Sequence, residues 1–165
     1  MLDTISIAIN GAAGRMGQRL IALVHADESL KLVAALEPEN SPAIGKDAGE
    51  VAGIGTIGVI ITAALPEHVD AVIDFSVPAG AVSIAKVCGQ RRIPLVEATT
   101  GLSEDERQII LEAAQETAVV MAPSMSLAVN LAMKLVSEAG KALKEIPGGV
   151  DVEIIERHHR FKEDA

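Results

Sequence analysis

Three groups of residues have types and spacings that suit chemistry. The first is Gly11-Ala12-Ala13-Gly14-Arg15-Met16-Gly17, which directly follows the apolar residues 5–9 and precedes an amphipathic stretch. Glycines so placed between a strand and a helix permit a tight turn, let the backbone approach a pyrophosphate, and leave the free N–H groups of a helix N-terminus facing it. The same spacing also serves plain packing of helix on strand, so the turn alone does not decide. Glu37 tips the balance. It ends the next apolar run, twenty residues beyond Gly17, where a carboxylate accepts hydrogen bonds from an adenosine ribose diol. Pro38 follows it rather than an arginine, so nothing adjacent neutralises a 2′-phosphate, and NADH is expected as the preferred cofactor with NADPH accepted.

The second group is Thr99-Thr100-Gly101 and Ala122-Pro123-Ser124-Met125. Both follow short apolar runs, and both are expected at the carboxyl edge of a sheet, where open α/β folds bind ligands; an ordinary strand-to-helix loop reads the same way. The third is His158-His159-Arg160-Phe161-Lys162. Imidazoles titrate near neutral pH and an ammonium donates protons, so two histidines with a nearby lysine suit reduction of a bond conjugated to carboxylates. A solvated basic strand end is the competing reading. His25 and His68 fall in polar surroundings and read as surface residues, and Cys88 reads as structural.

The elements that must position these groups follow from hydrophobic period. Apolar runs at 5–9, 31–36, 59–61, 71–75, 93–96 and 118–121 alternate with amphipathic stretches, the pattern of βαβ units on a parallel sheet. Helices are expected from Arg15 to Val24, from Pro78 to Gly89, from Ser103 to Thr117, with Ser103 and Glu106 as a capping box, and from about Leu127 to Leu143. Residues 37–58 hold Pro38, Pro42 and several glycines without a clear period, which predicts a long irregular connection with at most a short helix. Beyond Pro147-Gly148-Gly149, Val150-Asp151-Val152-Glu153-Ile154 alternates apolar and polar, the signature of a half-exposed strand. The expected organisation is a dinucleotide-binding domain over 1–125, a doubly wound Rossmann-type α/β sheet, then the first helix and strand of an α+β substrate domain over 126–165.

Composition narrows the function class. Of the 165 residues 49% are hydrophobic and 22% charged, with a net charge of -9, which suits a folded globular chain and gives no attraction to nucleic acid or an anionic membrane. A single cysteine makes no internal disulfide, and neither a signal peptide nor a membrane span is evident, so a reducing cytoplasm is expected. No metal site is expected either.

Taken together, Gly11 to Gly17, Asp74-Phe75-Ser76, Ala98-Thr99-Thr100-Gly101, Ala122-Pro123-Ser124-Met125-Ser126 and Glu156-Arg157-His158-His159-Arg160-Phe161-Lys162-Glu163-Asp164-Ala165 stand in an order that closely resembles the dihydrodipicolinate reductase family of bacterial lysine and diaminopimelate synthesis. The likeness extends over the whole chain, and its Glu-x-His-His-x-x-Lys-x-Asp-Ala run is far more specific than the glycine turn. It implies an NAD(P)H-dependent oxidoreductase that reduces 4-hydroxy-tetrahydrodipicolinate, a small dicarboxylate, to tetrahydrodipicolinate. By the same resemblance Gly11, Ala12, Ala13, Gly14, Arg15 and Met16 hold the pyrophosphate, Glu37 the ribose, and Ala98, Thr99, Thr100, Ala122, Pro123, Ser124 and Met125 the nicotinamide side. His158 is implied in acid–base work, Lys162 as proton donor, His159 in binding a substrate carboxylate, and a homotetramer as the assembly of full-length chains. Ala98 and Ser124 depart from the family's usual Gly and Asn. Family members also continue past the position of Ala165 with a Pro-Ser-Gly-Thr segment that binds substrate. Two other readings stay open: a different Rossmann-type small-molecule dehydrogenase, and a non-catalytic NADH-binding module.

Overall fold

The computed structural model describes residues 4–122, 124–155 and 157. Its contacts divide the chain into two units, Met1–Ala122 and Pro123–Ala165, against an expected boundary after residue 125.

The first unit is a six-stranded sheet. In chain order its elements are β1 (Ile5–Asn10), α1 (Arg15–Ala26), β2 (Leu30–Leu36), α2 (Ala48–Val51), β3 (Ile61–Thr62), β4 (Ala71–Asp74), α3 (Pro78–Arg91), β5 (Leu95–Glu97), α4 (Glu104–Ala113) and β6 (Val119–Met121). The strands lie in the order β3-β2-β1-β4-β5-β6, all parallel. This is the doubly wound Rossmann order, whose chain reversal between β1 and β4 opens a crevice at the carboxyl ends of the strands.

Apolar side chains of one strand leave on alternate faces, and both faces are covered. Ile7 and Ile9 of β1 join Ile21 and Val24 of α1 in one buried cluster with Leu32, Ala35 and Ile61. Ala8 points the other way, into a cluster with Val72, Ile84, Ala85, Cys88, Leu95 and Ile110 from β4, α3, β5 and α4. A strand buried on both faces reads as an unbroken apolar run, because neither set of side chains meets water. The helices start as the sequence predicts. Pro78 opens α3 at its first turn, and the Ser103 side chain caps α4 in a reciprocal box with Glu106.

The irregular stretch after β2 has an organiser that periodicity does not reveal. Asp47 Oδ1 accepts from the backbone N–H groups of Gly49, Ile57 and Glu50 at 2.8, 3.1 and 3.2 Å, and Oδ2 from Gly58 at 2.7 Å. One carboxylate thus caps the short α2 and closes the loop that leads into β3.

In the second unit α5 spans Leu127–Leu143, with the Ser126 side chain accepting from Val129 N at its start. None of its residues is buried. The strand expected at residues 150–154 does not form: the segment is irregular and exposed. Alternation marks a chain able to pair, whereas a strand exists only when another strand supplies its hydrogen bonds, and no described residue does so.

Candidate functional site

The glycine turn closes over itself. Gly11 N and Ala12 N both donate to Leu36 O, at 3.0 and 3.1 Å, which ties the turn to the end of β2, and Gly14 N donates back to Gly11 O. Gly11 has φ +77°, and a Cβ added there would lie 2.7 Å from Phe75 O; at Gly17 it would lie 2.1 Å from Gly11 O. Both positions exclude side chains for steric reasons alone. No side chain caps α1, so the first-turn N–H groups of Arg15, Met16 and Gly17 lack intrahelical partners. They form an anion-binding end of the helix.

Glu37 is half-buried beside this turn. Its Oε1 accepts from Ala13 N at 2.8 Å, which holds the carboxylate over the middle of the turn. Both border a cavity of about 960 Å³ whose walls include Asn10, Gly14, Pro38, Glu39, Leu65, Ser76 and Val87. Arg91 also lines it, and its guanidinium is occupied by the carbonyls of Leu65, Pro66 and Glu67 at 3.4, 2.6 and 2.6 Å. The cavity opens on the crevice between β1 and β4, the place where this strand order binds ligands.

Across that same edge runs a row of polar side chains. Asn10, Asp74 and Glu97 end β1, β4 and β5 and stand in register, Asn10 beside Asp74 and Asp74 beside Glu97. Asn10 Nδ2 donates to Asp74 Oδ1 and Thr99 Oγ1 to Asp74 Oδ2, each at 2.5 Å. Thr99 N donates to Glu97 Oε1 at 2.8 Å. Asp74 and Glu97 are fully buried. Burial, and next the Asp74 charge beside it, push the Glu97 carboxyl up to about 8. Cys88, buried beneath them in α3, is pushed up to about 12 by burial above all, so its thiol stays protonated.

The structure therefore brings Gly11, Ala12, Ala13, Gly14, Arg15, Met16 and Glu37 together, and places Ala98, Thr99 and Thr100 just after β5 at the same edge of the sheet. Ala122 closes the first unit, while Ser124 and Met125 belong to the second. Pro123, His158, His159 and Lys162 lie outside the described residues. Asn10 and Glu97 are site residues that sequence reasoning missed, and it gives Asp74, quoted within Asp74-Phe75-Ser76, no role. Their signal is a polar residue ending a largely apolar strand, readable only once the register sets the three strand ends side by side. Among the described residues no group of His, Cys, Asp and Glu is arranged to hold a metal ion, and no helix is long and apolar enough to cross a membrane.

Residues 5–125 match the family model described as dihydrodipicolinate reductase, N-terminus. Two curated relatives are both named 4-hydroxy-tetrahydrodipicolinate reductase. The chain is 49% identical to the one from Rhodopirellula baltica over 98% of its own length and 59% of the relative's. To the one from Rhizobium rhizogenes it is 43% identical, over 99% and 60%. The chain thus spans about three-fifths of the length of the curated relatives it matches. A solved dihydrodipicolinate reductase from Paenisporosarcina sp. TG-14, with dipicolinate bound, shares the fold at a TM-score of 0.62 and 22% identity, over 83% of this chain and 54% of that one.

Proposed function

Because the chain belongs to the dihydrodipicolinate reductase family, we propose that it supplies the nicotinamide-binding part of an NAD(P)H-dependent reductase. The reaction proposed is reduction of 4-hydroxy-tetrahydrodipicolinate to tetrahydrodipicolinate in the diaminopimelate route to lysine. The observation that carries this reading is the cavity bordered by the glycine turn and Glu37 at the carboxyl edge of a doubly wound sheet. The residues fit a dinucleotide. Gly11 and Gly17 pack so tightly on Phe75 and on the turn's own backbone that only glycine permits the tight turn, the first turn of α1 offers donors, and Glu37 is placed for a ribose diol. When bound, the nicotinamide supplies the hydride. Ala98, Thr99 and Thr100 are assigned to its side of the site, His158 to acid–base work, Lys162 to proton donation and His159 to a substrate carboxylate.

NADH is the proposed preference. A 2′-phosphate on the ribose would face the carboxylates of Glu37 and Glu39, both in the cavity wall, while Arg91 is already occupied by three carbonyls. Unpaired like charges select against a ligand more strongly than a missing contact does. A cytoplasmic setting and a homotetramer of full-length chains complete the reading, on family likeness alone.

Titration of the 165-residue chain with NADH, followed by nicotinamide fluorescence, tests the binding part. Saturable binding is expected, with NADPH weaker by about tenfold and with Gly11→Val weakening NADH by about a hundredfold or more, since its side chain would meet Phe75 O. Unchanged affinity in Gly11→Val would refute the site. NADH consumption in the presence of the cyclic dicarboxylate, lost in His158→Gln and Lys162→Met, tests the reaction. Binding without consumption would instead favour a nicotinamide-binding module.

A further inference from the structure

The polar row at the sheet edge contains a carboxyl group that the glycine turn and Glu37 do not account for. Asp74 has an acceptor role at both oxygens, toward the Asn10 amide and the Thr99 hydroxyl, which is the bonding of a carboxylate. Glu97 has a donor at Oε1 only, from Thr99 N. Its Oε2 is buried without a partner, and no ion pair among the described residues reaches either carboxyl. Two adjacent buried carboxylates with no cation between them repel in a medium that screens them poorly, and a single proton removes the conflict. Glu97 Oε2 is the oxygen free to take it.

We propose that Glu97, held as a neutral acid beside the Asp74 carboxylate, is a positioning residue that fixes Thr99 and, through Asp74, Asn10 at the cofactor edge of the sheet. The role rests on the proposal that this edge receives a nicotinamide dinucleotide. Asn10 is the link to the cavity, since it lines that wall and its amide also reaches Ser76 Oγ at 3.2 Å and the carbonyl of Gly80 at 3.5 Å. A second negative charge at Glu97 would draw the Thr99 N–H closer while repelling the Asp74 carboxylate that holds the Thr99 hydroxyl. The two bonds that fix Thr99 would then pull against each other.

The titratable and charged groups around Glu97 are Asp74 on β4 and Cys88 on α3, with Arg91 farther along α3 acting on Cys88. Cys88 stays protonated well above the range in which Glu97 loses its proton, so a transition near pH 8 belongs to the carboxyl pair. Glu97→Gln keeps the shape and an uncharged head at every pH.

Two measurements test the proposal. In a 15N-labelled chain the Thr99 backbone amide resonance should move between pH 7 and 9 with a midpoint near 8 in the wild type, and hold still in Glu97→Gln. NADH should bind the wild type about tenfold more weakly at pH 9 than at pH 7, since only about a tenth of the molecules then keep the competent protonation state, while Glu97→Gln changes less than about twofold. A Thr99 amide that does not move in the wild type, or moves equally in Glu97→Gln, overturns the assignment of Glu97. A wild type that fails to bind NADH even at pH 7 overturns the cofactor reading beneath it, and the amide titration still decides the protonation of Glu97 by itself.

Discussion

The loop around Asp47 and the sheet edge around Glu97 both bury carboxyl groups, and they drive Asp47 and Glu97 in opposite directions. At Asp47 burial alone would raise the carboxyl, but backbone donors from Ile57, Gly58, Glu50 and Gly49 outweigh it and hold the group below its ordinary 3.8. At Glu97 burial acts with the Asp74 charge and with hydrogen bonding to Asp74, the backbone and side chain of Thr99 oppose them, and the group rises from 4.5 to about 8. Burial therefore does not fix the charge of a carboxyl; the count of donors against neighbouring charge does. The first arrangement builds a loop, and the second holds a proton at the site.

Removing the donors' common acceptor is expected to have the largest effect. Asp47→Ala leaves four backbone N–H groups without their acceptor and should lower the Tm by roughly 10 °C, measured by calorimetry at pH 7. A drop under about 2 °C would show that the loop closes without the carboxylate, and the contrast with Glu97 would fail. Next comes Asp74→Asn, whose amide can still accept from Asn10 and donate to the Thr99 hydroxyl. Without the neighbouring charge, the Glu97 titration midpoint, followed by 13C carboxyl NMR, should fall by roughly one pH unit; an unmoved midpoint would leave burial as the whole cause.

In the pH dependence of stability the two groups act in separate windows. The folded chain keeps a proton on Glu97 that the unfolded chain releases above 4.5, so that contribution is complete at low pH and is lost as pH rises to about 8. The wild-type Tm should decline by roughly 10 °C across that window, and Glu97→Gln should remove the decline. Asp47 works the other way. Its contribution is present above 3.8 and disappears as the pH falls through its lower folded value, and Asp47→Asn should erase that acid limb while leaving the neutral one.

The same contrast explains what the sequence reveals. Elements made of repeated side chains are legible: the apolar runs of β1, β2 and β4, the Pro78 start of α3 and the Ser103–Glu106 cap all appear near where periodicity and capping predict them. Glu37, expected at the ribose, is found against the glycine turn. Elements made by one side chain acting across the fold are not legible. Residues 37–58 have no period because Asp47 organises their end through backbone bonds up to eleven residues away. Asp74 and Glu97 each look like one polar residue after an apolar strand until register sets them adjacent. The segment at 150–154 shows the converse case, in which the alternation is readable while no partner strand stands beside it among the described residues.

The bond from Ala13 N to Glu37 Oε1 also bears on kinetics. With the start of the turn tied to Leu36 O through Gly11 N and Ala12 N, Gly14 N closed back on Gly11 O and the middle held by a carboxylate, the loop has its final shape before any ligand arrives. A nucleotide reaching it meets a rigid surface, so the on-rate should be that of a simple encounter rather than of loop ordering. Only one of the carboxylate's acceptor sites is taken by the Ala13 N–H, so sugar hydroxyls can be accepted at the others without giving that bond up. Discrimination between nucleotides would then show mainly in how fast each one leaves.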